Sequence, residues 1–266
     1  MNSSSFHEYT FPWMRLLISL LILCLVVMLG VSHGSVSVPY AETIRIITGK
    51  LTGNLFEVTS LESFILIIWQ LRFPRVLSAG IVGASLALSG ATFQGLFRNP
   101  LADPYLIGAA GGAGLGATVV LVSDIPVRIS FVNTTAVAAF IGSLTTVFLA
   151  YSLARVNGRV PIDTLILAGV ALASLTGAIT TLLMLQANTD VRPVFSWLLG
   201  GFSQASWNSA LLPIPYLFIG ATVILIYGRV LNILQLDEEQ TMQMGINPNQ
   251  IKVILVASSS LITAAA

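Results

Sequence analysis

Few side chains in this sequence could do chemistry, and those few are scattered. Cys24 is the single cysteine and lies inside an apolar run, so it has no internal disulfide partner and reads as a small hydrophobe. His7 and His33 stand far from any Cys or Glu at ligand spacing, whereas a metal site needs three or four converging donors. The acids Asp103, Asp124, Asp163 and Asp190 all fall near the ends of apolar runs. No acid/base pair, activated nucleophile or metal cluster is visible, and no cofactor is expected. Gly49-Lys50 is followed by Leu, without the preceding glycine spacing of a Walker A phosphate loop. Gly108, Gly112 and Gly116 repeat four apart but lack the strand before and the Lys-Ser/Thr after that a phosphate cradle requires. In an apolar helix such spacing lets a neighbouring backbone approach closely, so these three are expected to pack helices. Gly80, Gly83, Gly169 and Gly177 suggest the same elsewhere.

The elements that would carry these residues are set by composition. Of 266 residues 55% are hydrophobic and 9% charged, against about 25% charged in soluble domains. Too few charges remain to cover a soluble globule, so lipid must be the solvent for most of the surface. The net charge of +1 offers no basic field for nucleic acid.

A helix crossing about 30 Å of hydrocarbon needs about 20 apolar residues. Runs of that length favour helices over barrel strands, which would be about 10 residues of alternating polarity. The first run is Met14–Val31, longer than the apolar part of a signal peptide and read as a retained helix. Tyr40–Leu55 carries Ile44, Ile47 and Leu51 on one side and predicts an interfacial helix. Further spans are predicted at Val76–Phe97, Tyr105–Val122, Thr134–Ala154, Thr164–Ala187 and Ala210–Gly228. A seventh begins near Ile251. Val191–Leu199 reads as a short interfacial helix ended by Gly200-Gly201, with Trp197 and Trp207 at belt level. The fold class is all-α, a polytopic transmembrane bundle of six spans plus part of a seventh, in one domain over 1–266. Arginines and lysines divide six against six between the two sides, so charge alone does not orient the bundle.

Two polar connections stand out. Arg98–Pro104, with two prolines, is a rigid turn between spans or an ordinary capped loop. In Leu234–Lys252, Asp237-Glu238-Glu239 would fill the first turn of a short helix, where acids suit the positive end of the dipole. Gly245 would end that helix and Pro248 start another. Glu238, Thr241, Met242 and Gly245 would share one face, suited to docking a soluble partner, unless the helix is simply solvated. No charge lies at a span centre, where ion-coupled carriers keep one, although sodium sites built from carbonyls stay open.

Several of these stretches occur in order in a known family. They are Arg-Phe-Pro-Arg at 72–75, the run from Gly83 to Pro104, Leu165–Leu172, Trp197–Phe202, and Asp237-Glu238-Glu239-Gln240 with Met244-Gly245. The chain resembles the FecCD-type permease subunits of ABC importers for iron siderophores, haem and cobalamin. The resemblance implies ten spans in a bacterial cytoplasmic membrane, so this chain would be incomplete at its C-terminus. It implies an N-terminus in the cytoplasm and no enzyme activity of its own. It implies three partners: an ATP-binding ATPase subunit, an extracytoplasmic substrate-binding protein and a second permease copy, identical or not. Arg72 and Arg75 would meet acids of the binding protein. Asp237, Glu238, Glu239, Gln240, Met244 and Gly245 would couple to the ATPase, with Asp237 standing where the family usually has Gly. Pro161, Ile162, Asp163 and Thr164 would form the inner gate of the pathway. An ion-coupled secondary carrier is the alternative of another class.

Overall fold

The computed structural model describes residues 13–53, 62–123, 125–129, 132–156, 160–203, 205–235 and 238–266. These divide into two compact units, one running to Leu77 and adding Ala205–Trp207, the other holding Ser78–Gln204 and Asn208–Ala266.

In the first unit, α1 (Trp13–Ser32) is apolar all round and exposed along most of its length, as a lipid-facing span must be. Its 20 residues reach about 30 Å. The interfacial helix expected at Tyr40–Leu55 is α2 (Tyr40–Thr52), ended by Gly53 at φ 76°. α3 (Glu62–Ile65), a π-helical stretch (Leu66–Arg72) and α4 (Phe73–Phe97) then run on as a single 36-residue helix, whose residues from Ser78 belong to the second unit. Its apolar part starts well before the expected Val76, because Leu66–Trp69 continue the run across Arg72 and Arg75. Val31, Val38, Ile46 and Ile68 form the small core of this unit. Trp69 stacks on Phe73, Trp207 meets both rings at a tilt, and the Trp207 indole N–H donates to the Trp69 carbonyl at 2.8 Å.

In the second unit the third expected span is shorter than hydropathy indicated. Asp103 accepts the Tyr105 N–H at 2.7 Å and starts a 3-10 turn, Pro104–Ile107. Gly108 then turns left-handed at φ 86° and α5 (Ala109–Val122) begins. Its 14 residues reach about 21 Å, too short to cross alone. The helices among the described residues that are long and apolar enough to cross number 5. A two-residue hairpin (β1, Arg128–Ile129; β2, Val132–Asn133) leads into α6 (Thr134–Leu153), capped by the Asn133 side chain. α7 (Ile162–Gln186) follows, then the short α8 (Arg192–Leu198) ended by Gly200 at φ 74°. α9 (Trp207–Leu211) and α10 (Ile214–Leu234) make the next span. The connection expected to be helix, glycine and helix again is α11 (Glu238–Gln243) and α12 (Pro248–Ala265).

Packing in this unit depends on missing side chains. A Cβ on Gly116 would overlap the Ala138 carbonyl, and one on Gly112 the Gly142 carbonyl, so α5 and α6 touch backbone to backbone. Gly169 faces Leu106 and Ile107 in the same way. Gly80, Gly83 and Gly177, also expected to pack tightly, have open space where a Cβ would go. Between α4 and α12 a buried hydroxyl pair, Ser89 and Thr263 at 2.7 Å, adds a polar contact to the apolar core of Phe93, Leu165, Leu231 and Leu255.

The substitution Gly116→Ala should therefore lower thermal stability, because its Cβ would stand 2.6 Å from the Ala138 carbonyl carbon. Overpacking of this kind costs about 1–3 kcal/mol. Gly177→Ala, with nothing within 4 Å, is the control. Equal melting points for the two variants in detergent would show that α5 and α6 are not in backbone contact.

Candidate functional site

The expected coupling segment is built from local chemistry. α10 ends at Leu234, and α11 opens at Glu238. Asp237 lies outside the described residues, and Glu238, Glu239 and Gln240 are placed by their backbone as the first turn. α11 closes with the Gly245 N–H on the Met242 carbonyl (2.9 Å) and the Ile246 N–H on the Thr241 carbonyl (3.3 Å), with Gly245 at φ 77°. That pair of bonds is a Schellman end, which needs the left-handed residue that glycine supplies. Asn247 then accepts the N–H groups of Asn249 and Gln250, and Pro248 sits at the first position of α12.

The face expected for docking is split. Thr241 is 0% exposed and turned into the protein, so it cannot share a docking face with Met242. Met242 (46%) and Met244 (61%) are the exposed apolar groups. Methionine's unbranched thioether adapts to an irregular partner groove.

The two arginines expected to dock a binding protein part company. Arg75 is exposed. Arg72 is only 9% exposed, and its guanidinium turns inward. One terminal nitrogen donates to the carbonyls of Val31 (3.2 Å) and Ser32 (2.7 Å), the last residues of α1, and the other donates to the Val36 carbonyl. A Cβ on Gly34 would meet the same guanidinium at 2.7 Å, so the loop leaves room only for glycine. Arg72 caps the negative end of α1; its fork reaches carbonyls spread over six residues (31–36). Buried in this way, it is not presented to a partner. Sequence reasoning missed this, because the carbonyls it binds lie 36 to 41 residues away.

At the expected gate, Pro161 precedes α7 and its carbonyl accepts from the Leu165 N–H (3.1 Å) and the Thr164 hydroxyl (2.8 Å). The same hydroxyl lies 3.2 Å from the Ala154 carbonyl just after α6, tying the two helix ends together. Asp163 is exposed and Ile162 half-buried. From Thr164 an apolar groove of about 470 Å³ runs along α7 past Leu167, Ala171 and Leu175. Nearer α8, the Arg192 guanidinium lies 2.8 Å from an Asp190 oxygen and its N–H bonds hold that carboxyl below the usual carboxylate range.

The FecCD transport family matches residues 20–266. The chain belongs to that family. Among its relatives, the cobalamin import system permease of Halobacterium salinarum is 38% identical over 205 residues, 77% of this chain and 54% of that protein. The hemin transport system permease of Yersinia pestis is 37% identical over 203 residues, 75% of this chain and 60% of that protein. An uncharacterized ABC transporter permease of Bacillus subtilis is 32% identical over 241 residues, 90% and 68% of the two chains. This FecCD chain thus spans between 54% and 68% of the length of these relatives. A solved metal-chelate type ABC transporter in an inward-facing conformation superimposes with a TM-score of 0.77 at 26% identity, covering 96% of this chain and 75% of that one. The family match, with apolar helices long enough to cross, makes the FecCD chain a multi-pass protein of the cytoplasmic membrane.

Proposed function

We propose that this FecCD chain is the permease subunit of an ATP-driven importer that carries a metal chelate across the cytoplasmic membrane. An iron chelate such as a ferric siderophore is the proposed cargo. Haem and cobalamin belong to the same class of bulky, ring-bound or wrapped metals, and two relatives are named for hemin and cobalamin. The observation that carries the reading is the family match over residues 20–266.

On this reading α11 docks a separate ATP-binding subunit through Asp237, Glu238, Glu239, Gln240, Met244 and Gly245, and the chain hydrolyses no ATP itself. Arg75 is the arginine offered to an acidic face of a binding protein. A second permease copy completes the pathway, and the Pro161–Thr164 segment forms its inner constriction. The groove along α7 is apolar and holds no charge at a span centre, which suits a chelate that is released rather than held.

The test is recovery of the tagged chain from its native membrane, with intact masses of everything retained. An ATP-binding protein in equal amount supports the reading. A chain recovered without one, whose uptake of ferric chelate collapses with the ion gradient, would replace it by a secondary carrier.

A further inference from the structure

The end of α4 carries a residue that its backbone does not favour. The Arg98 N–H donates to the Gly95 carbonyl (3.4 Å) and the Asn99 N–H to the Gln94 carbonyl (3.2 Å), again the paired bonds of a Schellman end. Arg98 holds the left-handed position, at φ 51°. Among the described residues it is the one non-glycine with positive φ, where α11 uses Gly245 for the same task. An arginine in a glycine's place needs a reason in its side chain.

That reason lies 136 residues further on. Arg98 Nη2 donates to the Leu234 carbonyl at 2.6 Å. Leu234 is the last residue of α10, and the following Gln235 stays right-handed at φ −71°. No glycine stands at 235–237 to fold the chain back onto α10's last carbonyls, so the cation meets the negative end of that helix. The two helix ends also touch: a Cβ on Gly95 would stand 3.0 Å from Gln235 Nε2 and 3.1 Å from Leu231 Cδ2. Phe97, Leu231 and Leu234 belong to one buried cluster.

We propose that Arg98 is a positioning residue for α11. Its guanidinium caps α10 and so fixes the point from which α11 departs. The end of α4 and the end of α10, far apart in sequence, thereby act as one corner. This rests on the reading of α11 as the ATPase-docking helix. It adds that the Arg98 bond to the Leu234 carbonyl, beside the apolar contact of the two helix ends, carries force from α11 by way of α10 into α4.

The experiment uses the full chain in lipid nanodiscs with Cys24→Ser as background. A spin label is placed at Met242→Cys on α11, or at Leu182→Cys on α7 as a remote control. Arg98→Gly restores the residue type that φ 51° favours, so α4 should end as before and the melting point should hold or rise. The ratio of mobile to immobile signal at 242 should rise about tenfold, the scale of one lost hydrogen bond to a charged group. The signal at 182 should stay unchanged, and Arg98→Lys, which keeps a cationic donor, should recover part of the order. An unchanged signal at 242, or equal loosening at 242 and 182, would overturn the proposal. Failure of the unmodified chain to retain an ATP-binding subunit would instead remove the docking reading and leave the mobility result standing.

Discussion

Reversing Glu238 and Glu239 together to Arg should abolish retention of the ATP-binding subunit while the chain still inserts and folds. The two residues form the first turn of α11, a six-residue helix outside every apolar span. Insertion is decided by those spans, so it should not notice the change. Docking should, because two acids at the positive end of a helix become two cations there, unfavourable for α11 itself and opposite in sign to what the partner meets. Losing one interfacial charge pair costs about 2–5 kcal/mol, and each 1.4 kcal/mol is about tenfold in affinity. Two such losses would take a tight complex below what a pull-down recovers. Normal yield and melting point with no ATP-binding subunit retained is the expected result. Full retention by the double variant would show that α11 is a solvated loop helix.

How much of this was readable beforehand depended on the range of the interaction concerned. α2, α8, α11 and the start of α12 were legible because local chemistry punctuates them. Gly200, Gly245 and Pro248 each act within their own turn. The break inside Tyr105–Val122 was equally local but hidden by hydropathy, which runs smoothly through Gly108 while the backbone does not. Asp103-Pro104 followed four residues later by Gly108 was the available signal.

Partners distant in sequence were not legible. Glycines at 112 and 116 leave no room for a Cβ against a neighbouring backbone and those at 80, 83 and 177 have open space there, yet residue type and setting are alike. Spacing shows where close approach is possible; the arrangement of the helices decides where it happens. Thr241 was placed beside Met242 by helical geometry, but the body of the protein covers one and not the other. The same holds for the arginines, since a sequence shows a charge and not the carbonyls waiting for it.

Arg72→Glu should cost most of the folded chain, where a docking role alone would have weakened one complex. The Arg72 fork is the donor for three carbonyls, those of Val31, Ser32 and Val36. Glutamate brings acceptors to a place already lined with acceptors. A buried polar group left unpaired costs about 1–3 kcal/mol, and an unpaired buried charge costs more. The sum is comparable to the whole stability of an ordinary domain, about 5–15 kcal/mol. Arg72→Lys keeps one cationic donor without the fork and should fall between the two. Arg75→Glu, on an exposed side chain, should cost far less stability than Arg72→Glu and show its main effect on a binding protein. Yield after detergent extraction and protease cleavage between His33 and Pro39, the link from α1 to α2, measure the difference. A parent-like yield and uncut link in Arg72→Glu would mean that the guanidinium does not hold the end of α1 and the link after it, and would return Arg72 to the docking face.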